Sequence, residues 1–185
     1  MENRAVRLAP LAPDDWSEEA RHALAGLTRP DGSVLNIFAT LARHPKLLES
    51  WLGFGVHVLG SSTLEPRERE LAILRVGWLC RSEYEWGQHV AIGKHAGVTD
   101  VDLARLGDGP DAAGWSDRER AILHAVDALH ETQTIGDAEW RALAQHLDER
   151  QLLDLVFTVG QYTLVSMALN TLGIPLDDGV SGFPS

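Results

Sequence analysis

The chain has a single cysteine, Cys80, in 185 residues. A lone thiol can close no intrachain disulfide and cannot supply both halves of a dithiol redox pair. Such sparing use of cysteine suits a reducing compartment, so a cytoplasmic location is expected. Basic charge is also short: 16 Lys and Arg stand against 27 Asp and Glu, a net charge of −11. Neutralising a phosphate backbone requires a basic surface, which argues against nucleic acid as a partner. No apolar run approaches the roughly 20 residues that span a bilayer. The opening Met1-Glu2-Asn3-Arg4-Ala5-Val6-Arg7-Leu8 lacks the apolar centre of a secretory signal, so no membrane partner is expected. A phosphate-binding loop, a dinucleotide fingerprint, a Gly-x-Ser-x-Gly elbow and a His-Glu-x-x-His zinc pattern are all missing. The expectation is therefore no cofactor and no metal.

Strand signals are weak as well, whereas apolar residues recur at helical spacing through most of the chain. The expected class is all-α. Ser17 caps a helix running to about Leu27, and a short helix covers Val34 to Arg43. Pro45 opens another that runs to about Leu59. The next two helices are expected over Glu65–Leu79 and Ser82–His95, joined by a short bend at Cys80-Arg81 and folded back as an antiparallel hairpin. Thr99 and Ser116 cap two more, the second running to about Glu131. Asp137 starts a helix to about Leu147, and the last runs from about Glu149 to Leu172 with few charges after Asp154. At this length one domain over residues 1–176 is expected, followed by a loose tail over 177–185.

A faint internal repeat is visible. Leu64-Glu65-Pro66-Arg67-Glu68-Arg69-Glu70 resembles Trp115-Ser116-Asp117-Arg118-Glu119-Arg120-Ala121, displaced by 51 positions. Both segments open a helix with Arg-Glu-Arg followed by an apolar stripe. The second has no acid at Ala121 and no later Glu-x-x-x-His.

Chemistry concentrates in Ser82-Glu83-Tyr84-Glu85-Trp86-Gly87-Gln88-His89. Ser82, Glu85 and His89 stand at i, i+3 and i+7, within about 60° of one another on a helix face. Glu70, on the preceding helix, reaches the same level across the hairpin. A carboxylate and an imidazole brought together at such a seam can move a proton. The plainer alternatives are a solvated Glu70, or one paired with Arg67 or Arg69, and a surface Glu85–His89 pair worth a few tenths of a kcal/mol. Cys80 reads as a small buried hydrophobe. His44, His57, His124, His130 and His146 are dispersed and read as surface or satisfied polar residues.

Several segments, taken in order, resemble the carboxymuconolactone decarboxylase family, which is related to alkylhydroperoxidase D. They are Asn36-Ile37-Phe38, Ala42-Arg43-His44-Pro45, Arg67-Glu68-Arg69-Glu70 and Glu83 to His89, continuing through Gly97-Val98 and Ser116-Asp117. The resemblance implies an alkylhydroperoxidase D-like helical bundle built on a helical hairpin and assembled as a trimer or hexamer. In the peroxidase branch a Glu precedes a Cys-x-x-Cys-x-x-x-His motif by twelve residues. Here that Glu falls on Glu70 and the His on His89, while the two cysteine positions hold Ser82 and Glu85. Ser and Glu cannot form a disulfide, so a dithiol relay is ruled out.

What remains is proton transfer. The reading is a cofactor-independent decarboxylase or lyase acting on a small carboxylated lactone or related oxygenated acid. Glu70, His89 and Glu85 are the catalytic candidates, and Ser82, Tyr84, Trp86 and Arg75 the substrate contacts, with Arg81 as a second candidate for a substrate carboxylate. The competing readings are a non-catalytic oligomer that lost the redox motif, and a peroxidase-like protein using Cys80 with an external thiol.

Overall fold

The computed structural model describes residues 5–184. Among them are nine α-helices and no strand: α1 (Glu18–Leu24), α2 (Asn36–Leu41), α3 (Pro45–Val56), α4 (Pro66–Leu79), α5 (Glu83–His95), α6 (Asp100–Asp108), α7 (Asp117–Thr132), α8 (Asp137–Leu143) and α9 (Glu149–Leu172). The all-α expectation holds. The ends of the helices follow their caps. Ser17, Thr99, Ser116 and Asp148 each accept a backbone N–H in the first turn, and the last three complete reciprocal capping boxes. Helix α3 is shorter than expected because the chain widens into a π-helical turn over His57–Ser61.

Helix α4 is the axis of the fold. It packs against α5, α6, α7 and α9, and Leu71, Ala72, Ile73, Leu74, Arg75, Val76 and Gly77 are all buried. The α4–α5 hairpin turns at Cys80-Arg81, where Arg81 takes φ +50°. The helices run close at Gly77, where a Cβ would just reach van der Waals contact with the Trp86 backbone nitrogen at 3.4 Å.

The internal repeat appears in three dimensions as reciprocal ion pairs. Arg67 bonds Glu119 at 2.8 Å, and Arg118 bonds Glu68 at 2.5 Å. Position 67 of one segment thus meets the counterpart of 68 in the other, and the reverse. Arg75 reaches Asp127 through two bonds of 2.7 Å at the same offset, so α4 and α7 run parallel. Each is followed by its own packed partner, α5 or α8.

The tail is not loose over its described residues, 177–184, which corrects the expectation there; Ser185 lies outside the described residues. Asp177 is buried and accepts hydrogen bonds from the Tyr84 hydroxyl, from the Gln88 amide at 2.7 Å and from the Asn36 backbone N–H at 2.9 Å. Phe183 packs edge-on against Trp78, with centroids 5.2 Å apart, and against Trp86. The tail lies so close over α5 that a Cβ on Gly87 would be 2.6 Å from the Ser181 carbonyl oxygen. Sequence alone could not show this, because the partners of Asp177 lie 89 to 141 residues upstream. Asp177→Ala leaves buried donors without an acceptor and should cost about 1–3 kcal/mol. Urea unfolding checks it; a loss below ~0.5 kcal/mol would mean that the tail contributes no anchor.

One expectation is corrected: α9 is, by length and composition, long and apolar enough to cross a membrane, although half of that stretch is buried inside the fold. Its buried face carries Leu155, Val159, Tyr162, Val165 and Leu169. Its outer face is described below.

Candidate active site

The α4–α5 hairpin brings Glu70 and His89 into direct contact. The His89 ring lies between two carboxylates. Nδ1 is 2.7 Å from Glu70 Oε2, and Nε2 is 3.0 Å from Glu85 Oε1. Glu70 is fully buried, and Glu85 and His89 are each 5% exposed. Helix geometry accounts for the arrangement: Glu85 and His89 are i, i+4 on α5, and the antiparallel turn sets Glu70 against the ring from the other side. The solvated reading of Glu70 is overturned. Arg69 does approach it, with Nε 3.2 Å from Oε1, but in addition to His89 rather than in its place.

Burial opposes charge on the imidazole, and the hydrogen bonds to Glu70 and Glu85 more than reverse that, raising the His89 pKa to about 9. At neutral pH the ring is an imidazolium and donates through both nitrogens. The cluster Arg69–Glu70–His89–Glu85 is then two cations and two anions, a balance that makes such burial tolerable.

Tyr162 of α9 completes the enclosure. Its ring meets the His89 ring edge to face, with centroids 4.9 Å apart at 84°. Burial, then the Glu85 and Glu70 charges, hold its hydroxyl pKa well above the ordinary tyrosine value, so it stays protonated. Tyr162 was not among the sequence-derived candidates, and Arg69 was named only as a plain ion-pair partner for Glu70. A signal existed for Tyr162: Thr158, Tyr162 and Ser166 recur every fourth residue in the uncharged part of α9, and all three are buried.

Ser82 is fully buried at the start of α5. Its hydroxyl makes no hydrogen bond to the protein, nor do those of Thr158 and Ser166. Three expected substrate contacts belong instead to the scaffold. The Tyr84 hydroxyl donates to Asp177 and accepts from the Ile37 N–H. Trp86 packs between Trp78 and Phe183. Arg75 is held by Asp127 and by the Leu106 carbonyl. Tyr84 and Trp86 flank Glu85, and adjacent side chains on a helix point to different surroundings; the Arg75 guanidinium, expected for a substrate carboxylate, is taken up by Asp127. Arg81 lies exposed at the bend. The Cys80 thiol is raised by burial and sits 3.8 Å from His130 Nδ1, so it is a poor nucleophile. Among the described residues no group of three or more His, Cys, Asp and Glu forms a metal site.

Solved structures share this architecture. An uncharacterized peroxidase-related protein from Silicibacter sp. TM1040 superimposes with a TM-score of 0.80 at 18% identity, over 96% of this chain and 94% of that one. An alkylhydroperoxidase AhpD core protein from Ralstonia eutropha JMP134 gives 0.79 at 18% identity, over 94% and 95%. The debrominase Bmp8 gives 0.77 at 12% identity, over 94% of each chain. At these identities the likeness establishes the fold and no more. No protein with a curated description matches the sequence. Residues 45–128, which run from the start of α3 into α7 and hold Glu70, Glu85 and His89, match the sequence pattern of the carboxymuconolactone decarboxylase family. Over that stretch the chain is similar to the carboxymuconolactone decarboxylase family, and the whole is set in an alkylhydroperoxidase D-like helical fold.

Proposed function

We propose that this protein is a cofactor-independent lyase that decarboxylates a small carboxylated lactone or a related oxygenated acid. The observation that carries the reading is the His89 imidazolium held between Glu70 and Glu85. Loss of CO2 breaks the bond between the carboxylate and its carbon. The electron pair passes into a conjugated carbonyl of the substrate, and the resulting dienolate must take one proton at carbon. Glu70 fixes the ring and favours its charged form. The proton on His89 Nε2 already points at Glu85, so transfer along that bond makes Glu85 a neutral acid that can deliver the proton to carbon. His89 then recovers a proton from solvent, and one proton is consumed for each CO2 released.

This assignment shifts the roles within the cluster. Both nitrogens of His89 are engaged, so Glu85 is the member that meets the substrate and His89 is the proton reservoir behind it. Ser82 can supply a hydrogen bond to the substrate's oxygens, since its hydroxyl is buried without a protein partner. A low-polarity, water-poor seam suits the reaction, because it favours the less charged transition state over the carboxylate. Residues 5–184, the anchored tail included, act as one scaffold in this reading, and the partner is a small molecule.

Purified protein offered a panel of carboxylated lactones and related acids should release CO2 from at least one. The same panel should include organic peroxides reduced by an external thiol. Cys80→Ser should leave the decarboxylation unchanged within about twofold, because no step uses a thiol. Thiol-dependent peroxide reduction abolished by Cys80→Ser, with no CO2 released from any acid, would replace this reading with the peroxidase one.

A further inference from the structure

The outer face of α9 is apolar, exposed and regularly spaced. Leu153 is 61% exposed, Phe157 56%, Leu164 56% and Met167 63%. With Gly160 between them, also exposed, the positions are 153, 157, 160, 164 and 167. Steps of four, three, four and three are the signature of a seam that meets another helix. The outer face of a solvated helix should instead be polar or charged, yet no charged residue occurs from Leu155 to Leu172. Phe54 of α3 extends the patch by stacking edge-on against Phe157, with centroids 6.0 Å apart. With the partly buried Val156, Thr163 and Ala168 beside them, these side chains form a contiguous apolar face on the order of several hundred Å², the size at which an exposed patch marks an interaction site.

The face is complementary to itself. Leu153 and Met167 lie seven residues on either side of Gly160, each about 10 Å from it along the axis. Phe157 and Leu164 lie three and four residues to either side. Turning a second copy about a two-fold axis at Gly160 therefore sets apolar against apolar at every level. The centre admits a close approach, because a Cβ on Gly160 would have nothing within 4 Å. At the ends there is a receiving shape: a groove of about 390 Å³ lined by Phe54, His57, Leu153, Asp154 and Phe157, among others. In this pairing the unbranched, flexible Met167 of the partner subunit reaches that groove, and the exchange occurs twice.

We infer that α9 pairs antiparallel with α9 of a second copy of this chain, with Gly160 on the two-fold axis and Met167 seated in the partner's Phe54–Phe157 groove. The contact is independent of the catalytic reading. It also bears on the site, because Tyr162, two residues beyond Gly160, presses on His89 from the inner face of the same helix. A clamped α9 holds that ring in place. The contact serves either a dimer or a dimer of trimers.

Light scattering of the full chain at micromolar concentration should give an even-numbered assembly. In a Cys80→Ser background, Gly160→Cys should form a reducible, covalently linked dimer on mild oxidation, since the axis brings each position against itself. Leu153→Cys should not link to itself, as the two copies would be about 20 Å apart. It should link to Met167→Cys once the two are mixed and re-equilibrated. Leu164→Glu should shift the wild-type assembly to half its size while leaving the helical circular dichroism intact. Overturning results are a wild-type monomer, a monomer that co-floats with phospholipid vesicles through α9, or self-linking by Leu153→Cys with none by Gly160→Cys.

Discussion

His89→Ala is expected to lower the turnover of a decarboxylated substrate by at least about a hundredfold, the usual loss when a positioned acid or base is removed. In the proposed scheme the ring holds the transferable proton and Glu70 holds the ring. Glu70→Gln should therefore lose nearly as much, and the double variant little more than either alone, because members of one unit are not additive. Glu85→Gln should be as severe, since an amide cannot deliver the proton. Removing His89 also leaves two buried carboxylates facing each other without their cation. His89→Gln, which retains an amide donor, separates a loss of chemistry from a loss of folding. Steady-state kinetics on folded variants decides the matter: near-wild-type turnover in His89→Gln would return the cluster to a purely structural role.

The second large effect is on stability as a function of pH. The His89 pKa is about 9 in the folded protein, against an ordinary histidine value of about 6.5 in the unfolded chain. A group whose pKa is raised by folding binds its proton more tightly in the native state. Its contribution is therefore complete below about pH 6.5 and is lost as pH rises through about 9. The difference corresponds to about 3 kcal/mol, which is large beside the total stability of a typical domain. Unfolding free energies measured from pH 6 to pH 10 should fall across this window, and His89→Gln should flatten most of that slope. A wild-type profile level to pH 10 would show that the ring is neutral in the native protein. The proposed proton reservoir would then be empty at rest.

Much of this protein is written locally. Helix positions follow from apolar spacing and from caps such as Ser17, Thr99 and Ser116, because both signals act within one or two turns. The Glu70–His89 contact was legible for the same reason. A short bend between two helices of known length fixes the level at which their side chains meet. The repeat at 64–70 and 115–121 was visible as well, although its meaning as two reciprocal ion pairs between parallel helices needed α4 and α7 to be placed side by side.

Other features belong to the tertiary structure. Tyr84 and Trp86 flank Glu85 in sequence and Arg75 shares a helix with Glu70, and only packing shows that they serve the tail anchor, an aromatic cluster and an ion pair with Asp127. Tyr162 is more than seventy positions from His89, and no local rule brings the two rings together. Asp177 in isolation reads as a polar residue in a terminal segment, yet it accepts hydrogen bonds from Asn36, Tyr84 and Gln88. By itself, then, the sequence determined the helices, the hairpin and the identity of the acid–imidazole group, since these rest on periodicity and on contacts across one bend. Only the tertiary structure decided which neighbours enclose that group and how its charge is balanced. Those contacts join segments far apart in the chain, and their energy depends on burial that no single helix possesses.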